Sequence, residues 1–308
     1  RRFSVVADAE ITLEANPGTV DATTLADLRV LGINRLSLGV QSFHDDELRL
    51  LGRIHSAAQA VDTLDAARRA GLDNVGIDLI YGLPAQALDV WQASLDRALA
   101  LRPAHLSLYA LSLEPGTPLD AAVSAGRLPA PDPDRAAEMY EVARARCAAA
   151  GYVHYELSNW ARAPGFRCRH NLIYWRNQPY VGVGAGAHAY RVRSTGGRRR
   201  ANVAHPAEYI ERIASGRSPA AWQEEIDRAL EMGETMMLGL RLVEEGVPFD
   251  RFRARFGTDL ERTFAGALDE LAPFDLVECC SDRVRLTPRG HLLANQALHP
   301  FLPDERKE

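Results

Sequence analysis

The chain has 308 residues, 46% hydrophobic and 25% charged, the proportions of an ordinary globular protein with ample material for a core. A net charge of −5 argues against nucleic acid as a partner, and no apolar run approaches the roughly 20 residues that a membrane span needs. The four cysteines, Cys147, Cys168, Cys279 and Cys280, make no disulfide framework, and RRFSVVADAE has no apolar signal region, so the expected compartment is cytoplasmic.

Residues 10–16 alternate Ile11, Leu13 and Ala15 with Glu10, Thr12, Glu14 and Asn16, the period of a strand. Asp21 caps a helix carrying Leu25, Leu28 and Leu31, closed by Gly32. A strand over 35–41 alternates Leu36, Leu38 and Val40 with Arg35, Ser37, Gly39 and Gln41. A helix over 57–70, a strand over 75–80, a helix near 88–100 and a strand over 105–111 follow. This β-α-β-α order predicts a parallel sheet with crossover helices, a barrel or part of one.

One face of each strand is apolar. The other carries Thr12, Glu14, Ser37, Gln41, Asp78, His105, Ser107 and Tyr109. Closed barrels fill their interior with bulky aliphatic side chains, so a polar interior predicts a cavity for a polar ligand or cofactor. Glu14, Gln41 and Asp78 share inward parity late in their strands, where α/β folds bind ligands. Taken alone, each reads equally well as a buried polar residue capping a loop.

Pro133 opens a helix whose one face carries Tyr140, Ala143, Cys147 and Ala150, which makes Cys147 a core residue. A strand over 152–157 leads into Arg167–His188, RCRHNLIYWRNQPYVGVGAGAH, with a thiol, two imidazoles and three large aromatics. Its glycines lack the dinucleotide-loop spacing and predict a close-packed turn. A zinc site from Cys168, His170 and His188 lacks a fourth ligand. Arg191, Arg193 and Arg198 to Arg200 predict a solvated loop, with an anion site as the minority alternative.

From 206 the pattern is helical, over 206–214, 225–241, 248–256 and 258–272. Short strands near 276–280 and 283–287 meet at Ser281 and Asp282, and a helix over 288–297 follows. This resembles a winged-helix module, but Asp259, Glu261, Asp269 and Glu270 before the wing have the wrong sign for DNA. Cys279 and Cys280, adjacent on a strand, point to opposite faces.

EANPGT (14–19), RLSLGVQSF (35–43), LGRIH (51–55), IDLIYGLP (77–84) and HNLIYW (170–175) occur in this order. The ordered set resembles the radical S-adenosylmethionine (SAM) proteins related to oxygen-independent coproporphyrinogen III oxidase, and most closely their heme-chaperone branch, the HemW type. The resemblance covers nearly the whole chain. It implies an α/β fold, with a partial (β/α)6 radical SAM barrel over 1–160 that lacks its first strands. A heme-motif connecting segment over 161–205 and a C-terminal helical, winged-helix-like module over 206–308 would follow.

The resemblance further implies SAM and a [4Fe-4S] cluster at the open top of the barrel. Glu14, Gln41, Arg53 and Asp78 match SAM contacts, with Ala110 and Leu111 lining the adenine site. A carboxylate such as Glu14 suits the methionyl ammonium, Arg53 the methionyl carboxylate, and Gln41 and Asp78 the ribose hydroxyls. Heme is the other implied ligand. His170 would be the axial donor to its iron, Tyr174 and Trp175 would cover a porphyrin face, and Asn171 would fix the local backbone. Cys168 and His188 are weaker axial candidates, and a hydrogen-bonded structural role for His170 stays open.

The family holds its cluster on a CxxxCxxC loop, and the four cysteines here do not have that spacing. That loop and a GGTP-like motif are expected ahead of Arg1, in roughly 60 to 90 further residues of a complete protein. The chain as given is expected not to assemble the cluster and to bind SAM weakly. The function implied is a heme-binding chaperone that passes heme to membrane or respiratory apo-proteins. The alternatives are SAM-dependent oxidative decarboxylation of coproporphyrinogen III, and a barrel enzyme without any cluster.

Overall fold

The protein is described by a computed structural model covering residues 4–193 and 196–303. It divides into two compact units, one up to Arg167 and one from Cys168 onward.

The first unit is built on β1 (Thr12–Ala15), β2 (Arg35–Gln41), β3 (Val75–Tyr81), β4 (His105–Ala110), β5 (Val153–Glu156) and β6 (Asn159–Ala161). They form one sheet in the order β1-β2-β3-β4-β6-β5, with β1 to β4 parallel. Parallel neighbours need long crossovers, and the helices Ala22–Val30, Ala57–Arg69 and Leu88–Ala100 supply them. Two of these start where the sequence carries a cap. Asp21 accepts from the Thr24 amide at 2.7 Å, and Ser56 and Gln59 form a reciprocal capping box.

The core lies between this sheet and its helices. Leu36, Leu38, Ile77, Leu79, Leu106 and Leu108 pack against Leu25, Leu64, Trp91, Leu95, Met139 and Cys147, all essentially without exposure. Burial pushes the Cys147 thiol up to about 12, as suits a small apolar core residue.

The strand expected over 152–157 is resolved into a hairpin. The connection at Leu157 and Ser158 is too short for a crossover, so β6 doubles back on β5 and docks antiparallel against β4. The Leu108 amide donates to the Ser158 carbonyl at 2.8 Å, stitching the turn to β4.

The second unit contains β7 (His188–Arg193), β8 (Gly196–Asn202), β9 (Ala220–Ile226), β10 (Val247–Pro248), β11 (Val277–Cys279) and β12 (Arg283–Leu286). β7-β8-β9 form one antiparallel sheet, and β10-β12-β11 form the small wing. Around them lie short helices tied by an aromatic chain, Phe252–Phe256, Phe252–Phe264 and Phe264–Phe301, with centroids 4.7, 6.0 and 5.5 Å apart.

The arginines expected in a solvated loop lie in strands instead. Arg191, Arg193 and Arg198 to Arg200 lie on β7 and β8, and β9, which was not expected, pairs with β8 between the helices expected over 206–214 and 225–241. Cross-strand pairing explains how an arginine run sits in a sheet: Arg198 lies opposite Glu225 and Arg199 opposite Glu224. Arg199 also reaches Glu234 at 2.7 Å, and Arg193 and Arg198 share Glu225. Those guanidinium forks are thus already occupied by carboxylates of the same chain, which removes the anion-site alternative for them.

Candidate functional site

An open pocket of about 570 Å³ lies over the carboxyl ends of β1 to β3, within the size range of small-molecule sites. Glu14, Gln41, Arg53 and Asp78 all line it, together with Asn16, Ser37 and Gly39.

Each is positioned by a different local device. Glu14 stands on β1 opposite Ser37 of β2. Gln41 reaches the pocket through a left-handed backbone (φ 68°) and a register shift between Leu38 and Gln41, so strict alternation along β2 does not place it. The next residues hold that turn: the Phe43 amide donates to Ser94 Oγ at 3.0 Å, and the His44 amide donates to Ser42 Oγ at 3.0 Å. Arg53 follows a tight turn in which its amide donates to the Leu48 carbonyl at 2.8 Å. Its guanidinium Nη1 then donates to Asn16 Oδ1 at 3.1 Å.

Asp78 accepts from Ser37 Oγ at 3.1 Å across the β2–β3 pair. Burial raises its pKa, while hydrogen bonds from Ser107 and Ser37 and the Arg35 charge oppose the rise. Deeper on the same face, fully buried His105 contacts the Tyr155 hydroxyl at 2.8 Å, and burial holds its pKa well below the usual imidazole range. Ala110 lies exposed at the end of β4, paired with Tyr81, and does not line this pocket.

HNLIYW forms the helix Arg169–Trp175 in the second unit. Its helical period divides the motif. His170 and Tyr174, one turn apart, meet edge to face at 4.7 Å, and Tyr174 meets Tyr180 in the same way at 4.6 Å. His170 is exposed. Trp175 takes a different role, with the Arg241 guanidinium 4.7 Å over its ring and its indole Nε1 buried. Asn171 is half-buried on the same helix.

Cys168 is buried just before the helix, and His188 is exposed at the start of β7 against Trp222 at 5.9 Å. Among the described residues no three His, Cys, Asp or Glu side chains are grouped to hold a metal ion, which leaves the zinc alternative without a site. The close-packed turn expected here holds at Gly182 alone, where a Cβ would collide with the His188 carbonyl oxygen. Gly184 and Gly186 leave room at the Cβ position and serve the turn through positive φ, 107° and 71°.

Ser37, named on the polar inward face, lines the pocket as that face predicts, whereas Asn16 and Gly39 were not expected there. The signal for Asn16 was present, because it sits inside EANPGT two residues after Glu14.

Comparison with known proteins identifies the family of the chain. The radical SAM superfamily matches residues 2–98, and the HemN C-terminal domain matches residues 226–293. The heme chaperone HemW of Bacillus subtilis is 39% identical over 294 residues, 96% of this chain and 76% of that protein. The chain belongs to the HemW family of heme chaperones. The Escherichia coli HemW is 37% identical, covering 98% of this chain and 77% of its own length. Membership of this radical SAM family implies SAM and a [4Fe-4S] cluster as its cofactors. Among solved structures, Escherichia coli coproporphyrinogen III oxidase (HemN) superposes with a TM-score of 0.78 at 23% identity, over 96% of this chain and 70% of that one. That likeness gives the HemW-family chain its fold: a partial α/β barrel with a helical, winged C-terminal part. Among the described residues no helix is long and apolar enough to cross a membrane.

Proposed function

We propose that the protein is a heme carrier that takes up heme and passes it to apo-hemoproteins, including membrane and respiratory ones, from the cytoplasm. One observation carries this: the His170 imidazole stands exposed in HNLIYW, in a chain similar over 96% of its length to a heme chaperone. Imidazole is the common axial donor to heme iron, and the ring of Tyr174 sets its orientation. Tyr174 then offers a porphyrin face. Trp175 is a weaker candidate for that role, because Arg241 already covers its ring.

The pocket over β1 to β3 is proposed as the SAM site. Its donor set fits an aminocarboxylate nucleoside: carboxylates Glu14 and Asp78, the Gln41 amide and the Arg53 guanidinium converge on one cavity. Gly39 supplies the close approach, since a Cβ there would lie 2.9 Å from Gln41 Nε2. Bound there, SAM supplies an activated sulfonium C–S bond, and these side chains bind and orient it. Ala110, exposed at the end of β4, lies outside this lining, and the donor set proposed here does not include it. The thiols do not fit a cluster. Cys147 is in the helix core, Cys168 is buried beside HNLIYW, and Cys279 and Cys280 lie at the wing.

A heme titration followed at the Soret band tests the carrier assignment. Wild type is expected to give a saturable Soret shift, and His170→Ala to lose or alter it. A spectrum unchanged in His170→Ala would remove that residue as the axial donor. Oxidative decarboxylation of coproporphyrinogen III gains no support from the HemN likeness, which at 23% identity concerns the fold alone.

A further inference from the structure

We propose that Asn16 is a positioning residue for the carboxylate end of bound SAM, acting by aiming the Arg53 guanidinium. This rests on SAM occupying the pocket over β1 to β3.

Arg53 is the cation among the residues lining that pocket, and it hangs from a loop on a long flexible stem. Left to itself, such a side chain spends its time in many rotamers, and ordering it on ligand binding costs affinity. Asn16 removes part of that freedom. Its Oδ1 accepts from Arg53 Nη1 at 3.1 Å, which leaves the other guanidinium donors for a ligand.

Asn16 is itself held from several sides. Pro17 follows it and disfavours a helical backbone at Asn16. Its carbonyl accepts from the Thr19 amide at 3.1 Å and from Thr19 Oγ1 at 2.7 Å. On the far side, a Cβ on Gly39 would lie 3.1 Å from Asn16 Oδ1, so the bare glycine is what admits the amide against β2.

The residue type matters as much as the place. An aspartate here would also orient Arg53, but its charge would neutralise the guanidinium before a ligand carboxylate arrived. An amide oxygen orients the fork and leaves its charge unspent.

The test compares two ligands on the 308-residue chain: SAM, and 5′-methylthioadenosine, which lacks the aminocarboxylate. Affinities are measured by equilibrium dialysis for wild type, Asn16→Ala, Asn16→Asp, Arg53→Ala and the Asn16→Ala/Arg53→Ala double variant. Asn16→Ala is expected to weaken SAM about two- to tenfold, the worth of one hydrogen bond, while methylthioadenosine affinity stays unchanged. Asn16→Asp should weaken SAM at least as much, and the double variant should bind SAM no more weakly than Arg53→Ala. Equal weakening of both ligands by Asn16→Ala, no weakening of either, or full additivity in the double variant would overturn the proposal. If Arg53→Ala leaves SAM affinity unchanged, or wild type binds no SAM, the assignment of the pocket itself fails, and this role for Asn16 fails with it.

Discussion

The His170 and Tyr174 rings meet edge to face at 4.7 Å, one helical turn apart, so the orientation of the exposed imidazole depends on its neighbour. An aromatic pair of this kind contributes about 0.5–1.5 kcal/mol beyond its buried area. Tyr174→Ala should therefore weaken heme binding about two- to tenfold, while Tyr174→Phe, which keeps the ring, stays near wild type. Soret titration of the two variants checks this. Equal losses would place the contribution in the hydroxyl.

Asp78 gives a pH-dependent signature. Burial raises its folded-state pKa above the unfolded value, so the folded protein holds this proton more tightly than the unfolded chain does. The cost of ionising it is absent below the unfolded pKa and grows as pH rises through the folded one. Asp78→Asn removes the titration, so its stability relative to wild type should improve from pH 4 toward pH 7. Urea denaturation of both proteins across that range measures the trend, and a gap independent of pH would contradict it.

The second unit depends on a buried ion pair. Arg255 Nη2 donates to Glu231 Oε1 at 2.6 Å, Glu231 is only 5% exposed, and the same guanidinium donates to the Asn177 carbonyl at 2.7 Å. Removing one member of such a pair leaves an uncompensated charge, so Glu231→Ala should cost about 3–5 kcal/mol. The exposed pair Arg217–Glu211 is the control, and Glu211→Ala should cost less than about 1 kcal/mol. Chemical denaturation of the two variants tests the contrast.

At Gly182, adding a methyl group would drive it into the His188 carbonyl oxygen. Gly182→Ala is expected to cost about 1–3 kcal/mol through forced backbone movement. Gly165→Ala meets nothing within 4 Å and should stay near wild type. Thermal melts of the two proteins separate these cases.

The parallel strands were legible because their apolar residues recur with a period of two, and helix starts because Asp21 and Pro133 announce them. Glu14, Gln41 and Asp78 were legible as a group, although Gln41 gets there by a bulge that no alternation rule contains. The arginine sheet was not legible. A run of cations reads as solvated until its partner strand is known, and Glu224 and Glu225 lie more than twenty residues downstream. Asn16 was missed for a similar reason, since its significance lies in a contact with Arg53, 37 residues away.

The hairpin at β5 and β6 has a consequence for the chain's exit. Because β6 runs against β4, the chain leaves the sheet beside His105 and Ala104, at the amino ends of the parallel strands. A further parallel strand would have delivered the outgoing peptide to the rim where Glu14, Gln41 and Asp78 open to solvent. As built, β6 ends at Ala161 beside His105, and the outgoing backbone at Arg162 is held by Ala104 at the rim opposite those three residues.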